Sequence, residues 1–95
     1  VVIYGKGVYA TNLMEVMKKN HLCKIVCNVD SADADILFSM KKEEYDCVLI
    51  AILDCHVVEN VLTYLKEKNI PESKIIFIEK EDLGVNNLKK LICSE

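Results

Sequence analysis

Val1-Val2-Ile3-Tyr4-Gly5-Lys6-Gly7-Val8-Tyr9-Ala10 opens the chain, and its reading decides the fold. A short apolar run of β-type residues meets two glycines spaced G-x-G. A small residue, Ala10, follows three positions after the second glycine, and a helical pattern begins there. Strand, glycine turn and helix in this order form a phosphate-cradling G-x-G-x-x-A unit. The first glycine turns the chain sharply off the strand. The second removes the Cβ that would keep a phosphate from backbone N–H groups, and the small third residue lets the helix lie close to the sheet. The N-terminus of the helix then presents unpaired N–H groups and a positive dipole end to an anion. Lys6 reads either as a cation beside that phosphate or as a solvated loop lysine. It is not a P-loop lysine, since the G-x₄-G-K-[ST] spacing is absent.

Outward from this unit the chain alternates. Ala10, Leu13, Met14 and Met17 make one apolar stripe on a helix from Val8 to about Asn20. Lys24–Asp30 reads as a second strand and ends in an acid 23 residues beyond Gly7 (30 − 7). Asp30 is therefore either a ribose-binding acid, which sits about 20 residues past the glycines in dinucleotide-binding folds, or a solvated strand-end aspartate. From Ser31 to Tyr45 the pattern is abbreviated, and Ile36-Leu37-Phe38 fits a short strand or one turn of helix. Asp46–Leu53 is the most apolar run and reads as a central parallel strand buried on both faces. Asp54-Cys55-His56 leads into a helix to about Asn69, with Asp54 as its N-cap. Ile70-Pro71 ends that helix. Lys74–Ile78 is a fourth strand, and Val85–Cys93 a short last helix.

This β-α-β-β-α-β-α order predicts a Rossmann-like three-layer α/β/α fold with a four-stranded parallel sheet in the order 2-1-3-4. Its switch point lies between the first and third strands, where ligands bind outside the carboxyl ends. Gly5, Lys6, Gly7, Val8, Tyr9 and Ala10, together with Asp54, Cys55 and His56, are expected to converge there, with Asp30 nearby. Ninety-five residues make a single domain, with room for little more than one mononucleotide-binding half. With no methionine at position 1, the chain is expected to be a segment of a longer protein, the alternative being that only a few leading residues are missing.

Composition removes several function classes. A net charge of −3, with twelve lysines and no arginine, argues against a nucleic-acid partner. No apolar run reaches the roughly 18 residues of a membrane span. Five cysteines, an odd number spread over separate elements, point to a reducing, cytoplasmic setting with no disulfide. Cys23 and Cys27 are spaced C-x₃-C, about 13 Å apart along a strand, so no metal is expected between them. Cys55-His56 is a neighbouring thiol–imidazole pair. Adjacent residues at a strand end point apart, so catalysis by the pair is not expected; His56 suits a ligand contact or a helix N-terminal position.

Ile3–Ala10, Tyr45–Ala51 and Asn69-Ile70-Pro71-Glu72-Ser73-Lys74-Ile75 together resemble a small Rossmann domain of bacterial surface-sugar enzymes. It is similar to the appended or N-terminal domain of FkbM-type and sugar C-methyltransferases, nucleotide-sugar dehydratases and sialic-acid-type sugar acyltransferases. The resemblance implies a nucleotide or nucleotide-sugar ligand facing Gly5, Lys6, Gly7, Val8 and Tyr9, and, as secondary candidates, Asp30 and Asp54–His56. It also implies a transferase-type parent enzyme for polysaccharide biosynthesis, with the rest of that chain or a second copy as partner. The sequence departs from the family pattern at Lys6, often a small residue, at Ala10, often glycine, and in the short segment after Asp30. Two other readings stand beside it: an NAD(P)-binding oxidoreductase fragment, and a ligand-free interaction domain whose glycine loop is only a turn. No Tyr-x₃-Lys or comparable acid–base pair is present to support the oxidoreductase.

Overall fold

In the computed structural model, which describes residues 1–78, four strands form one fully parallel sheet. They are β1 (Val2–Tyr4), β2 (Cys27–Val29), β3 (Val48–Ile50) and β4 (Ile75–Phe77), arranged β2-β1-β3-β4. The opening strand thus lies inside the sheet. Val2 pairs with Cys27 on one side and Val48 on the other.

β1 and β3 are buried throughout because their side chains alternate between two apolar layers. Ile3 and Leu49 point to the layer of α1 (Val8–Lys19), against Ala10, Leu13 and Met17. Val2, Tyr4, Val48 and Ile50 point to the other layer, built by α2 (Asp35–Phe38) and α3 (Cys55–Glu67) through Leu37, Val58, Val61 and Leu65. Ile36-Leu37-Phe38, open between strand and helix in the sequence, belongs to the single turn of α2. The predicted helix over Val85–Cys93 lies outside the described residues.

The strands are shorter than the apolar runs that contain them. β1 has only three residues before Gly5 turns the chain away, and as one of the two inner strands it limits how far β2 and β3 can pair with it. The flanks of the longer runs add single bonds, Val26 N–H to Val1 O at 2.8 Å and Ala51 N–H to Tyr4 O at 2.9 Å.

Both long helices end alike. His21 and Asn69 take left-handed backbone conformations, φ 52° and 65°. The next residue, Leu22 or Ile70, is buried and donates its N–H to a carbonyl five positions back, Met17 or Leu65. This is the Schellman closure with its apolar cap. It brings the chain down onto the amino end of the sheet and leaves the carboxyl end for the loops after the strands.

Candidate functional site

The turn at the end of β1 is held from three sides. Gly5 has φ 125°, a conformation that side chains disfavour, and a Cβ there would lie 2.6 Å from the Ala51 carbonyl oxygen. Its N–H donates to Val29 O at 2.7 Å. The Asn28 side-chain amide donates to Gly5 O at 2.7 Å and to Ile3 O at 3.1 Å, so β2 clamps the turn. Gly7 differs from Gly5. It is the N-cap of α1 in extended backbone (φ −79°, ψ −173°), with nothing within 4 Å of a Cβ built there.

α1 begins without a side-chain cap and without an acid in its first turn. α3 is the opposite case: Asp54 Oδ1 accepts from the N–H groups of His56 (2.9 Å) and Val57 (3.4 Å). Asp54 is therefore the predicted N-cap, with its carboxylate turned back onto its own helix. Cys55 and His56 follow it, exposed to solvent.

A cleft of about 570 Å³ opens at the carboxyl end of the sheet, on the α2/α3 side. Tyr4, Gly5 and Lys6 border it from β1, and Asp30 and Ser31 from the loop after β2. Ile52 and one face of α3, Val57, Asn60, Val61 and Tyr64, complete the wall. Beyond Tyr64, its ring meets Phe38 of α2 edge-on, with centroids 5.3 Å apart at 82°.

The loop after β2 is tightly wound. Asp30 Oδ1 accepts from Ala32 N–H at 2.9 Å, and Asp33 Oδ1 accepts from Asp30 N–H at 2.7 Å. Asp33 Oδ2 takes the Lys6 ammonium, tying this loop to the glycine turn. The hydrogen bond from Lys6 holds the Asp33 carboxyl below the usual carboxylate range, and the same bond raises the Lys6 ammonium. The contribution of this pair is present above the ordinary carboxylate pKa and lost as pH falls through the lowered Asp33 value. At the alkaline end it is lost as pH rises through the raised Lys6 value. In a Lys6→Met variant the Asp33 carboxyl is expected to titrate higher than in the parent, as read by carbon-13 NMR. An unchanged Asp33 titration would rule the pair out as the cause.

Among the residues singled out in the sequence, Gly5, Lys6 and Asp30 meet at the cleft. Gly7 and Val8 lie exposed at the start of α1. Tyr9 and Ala10 turn to the other layer: Ala10 is buried under α1, and Tyr9 Oη donates to Ile78 O at 2.7 Å. Asp54, Cys55 and His56 are absent from the cleft lining. Four residues escape the sequence reading: Tyr4, Asn28, Asp33 and Tyr64. A usable signal existed for two. Asn28 is a polar residue inside an apolar strand, and Tyr64 falls on the 57, 60, 61, 64 stripe of α3.

Among the described residues no three His, Cys, Asp or Glu side chains gather as a metal-ligand set, and no helix is long and apolar enough to cross a membrane. No protein-family model, curated protein or solved structure matches the chain.

Proposed function

We propose that this chain is a nucleotide-binding module that takes a nucleotide or nucleotide-sugar. The phosphate lies over the N-terminus of α1 and the nucleoside enters the cleft at Asp30. The observation that carries this reading is a juxtaposition around Gly5. On one side α1 starts uncapped behind a glycine with open space; on the other is a cleft whose edge carries Asp30. Cleft volume falls within the range of small-molecule sites. In this reading the module serves a larger, cytoplasmic, transferase-type sugar-modifying enzyme and carries no catalytic residue of its own.

The test is a thermal-shift panel of ADP, UDP, NAD and UDP-N-acetylglucosamine. A ligand at about 100 times its Kd adds about 2.7 kcal/mol, several degrees in Tm. The Gly7→Val variant is the sharp control. Gly7 has extended backbone and open surroundings, so folding is expected to change by about 1 kcal/mol or less. Binding is expected to fall at least about tenfold, since charge-assisted bonds to the phosphate are lost. Undiminished binding by the folded variant would refute the phosphate placement. A ligand-free interaction domain is the second reading. It is favoured by Val8 and Leu53, 78% and 60% exposed near the carboxyl ends of the strands, and by the pairing of Lys6 with Asp33. A flat panel with concentration-dependent self-association in sedimentation would select it. Stabilisation by NAD alone would select the oxidoreductase fragment.

A further inference from the structure

Tyr4 is only 1% exposed, and among the described residues its hydroxyl has no hydrogen-bond partner. Buried polar atoms are nearly always partnered, and leaving one unpaired carries a penalty. The core does not account for the hydroxyl. The ring packs in the layer with Val29, Val48 and Val61, and phenylalanine would fill that place equally well. Tyr4 also borders the cleft. The two charged groups at the rim are already engaged within the protein, Lys6 with Asp33 and Asp30 with the Ala32 N–H.

We propose that the Tyr4 hydroxyl is a specificity-determining hydrogen-bond donor for the base of the bound nucleotide. The inference rests on the nucleotide reading above and names how that site chooses its ligand. Burial comes first, then the nearby Tyr64, Asp30 and Asp33; all raise the Tyr4 pKa, so the hydroxyl keeps its proton and stays a donor. Its proton can be given to a ligand atom that accepts. Asp30 at the rim and Asp33 behind it make this end of the site unfavourable for a phosphate, which belongs instead at α1. An uncharged group with a carbonyl or ring nitrogen satisfies both conditions, and in a nucleotide that group is the base. Tyr4 borders the cleft and is almost fully enclosed, so a base reaches the hydroxyl only if side chains at the cleft wall rotate, a common adjustment on binding.

The experiment compares the parent with Tyr4→Phe in two measurements. Urea denaturation of the unliganded proteins is expected to show equal or higher stability for the variant, because an unsatisfied hydroxyl has been removed. Titration calorimetry with ADP and UDP is expected to show the preferred nucleotide weakened about tenfold and the other little changed, so that the ratio of their Kd values collapses toward one. A merely structural tyrosine would not move that ratio. Three results overturn the proposal alone: unchanged affinity for the preferred nucleotide, equal losses for both, or a less stable unliganded variant, which would reveal a structural partner for the hydroxyl. If the parent binds no nucleotide in the panel, the nucleotide reading falls and this inference falls with it.

Discussion

Gly5→Ala is expected to destabilise the protein by about 3 kcal/mol, read as a lower urea midpoint with an unchanged slope. Two costs combine. At φ 125° an alanine is strained, typically by about 1–3 kcal/mol. Its Cβ would also meet the Ala51 carbonyl oxygen at 2.6 Å, a backbone atom at the end of β3 that cannot swing aside as a side chain can. Moving it disturbs the Ala51 N–H bond to Tyr4 O and adds about 1–3 kcal/mol of overpacking. Total stabilities of small domains are about 5–15 kcal/mol, so a large part of the margin goes. Gly7→Ala is the internal control, with room for its Cβ and ordinary backbone. Equal losses at the two glycines, or a loss at Gly5 below about 1 kcal/mol, would contradict this account of the turn.

Leu49→Ala is expected to cost about 3 kcal/mol, within the 2–5 kcal/mol seen for buried leucines. Leu49 is fully buried in β3, which pairs with β1 on one side and β4 on the other. Its side chain belongs to the layer under α1, with Ala10, Leu13 and Met17. The cavity would therefore open beneath the helix whose N-terminus is proposed to hold the phosphate. Chemical denaturation measures the loss, and a cost under about 1 kcal/mol would mean that this layer collapses around the gap. Ala51 lies just past the end of β3 and belongs to the same buried layer as Leu49, so the double variant with Gly5→Ala should deviate from additivity.

Parallel pairing and strand order were legible because Val1–Tyr4 and Asp46–Leu53 are apolar on both faces, which only an inner parallel strand between helix layers accommodates. Strand lengths were not legible. Hydrophobicity marks what is buried, whereas the ladder ends where Gly5 turns. At the site, Gly5, Lys6 and Asp30 were visible through spacing alone. Asp33 was not seen as the partner of Lys6 because the two are 27 residues apart in sequence and meet only through the β2 loop. Tyr4 reads as core in any sequence, since the isolation of its hydroxyl is a property of its neighbours. Chain order placed Asp54–His56 near the crevice, but the start of α3 needs an N-cap, and Asp54 serves that need.

The inner position of β1 also bears on how the chain acquires its structure. Of the four strands, the first to be made is the one whose two edges must both wait: β2 closes one, and the other stays open until β3 has been made. Every strand pairing joins segments distant in sequence, so early local contacts are confined to the helices, and loop closure has to precede any reward from the sheet. Val2–Tyr4, apolar and unpaired meanwhile, is the stretch most exposed to mispairing in a crowded refolding mixture. Pairing with β3 closes that second edge and gives β4 the strand it pairs with.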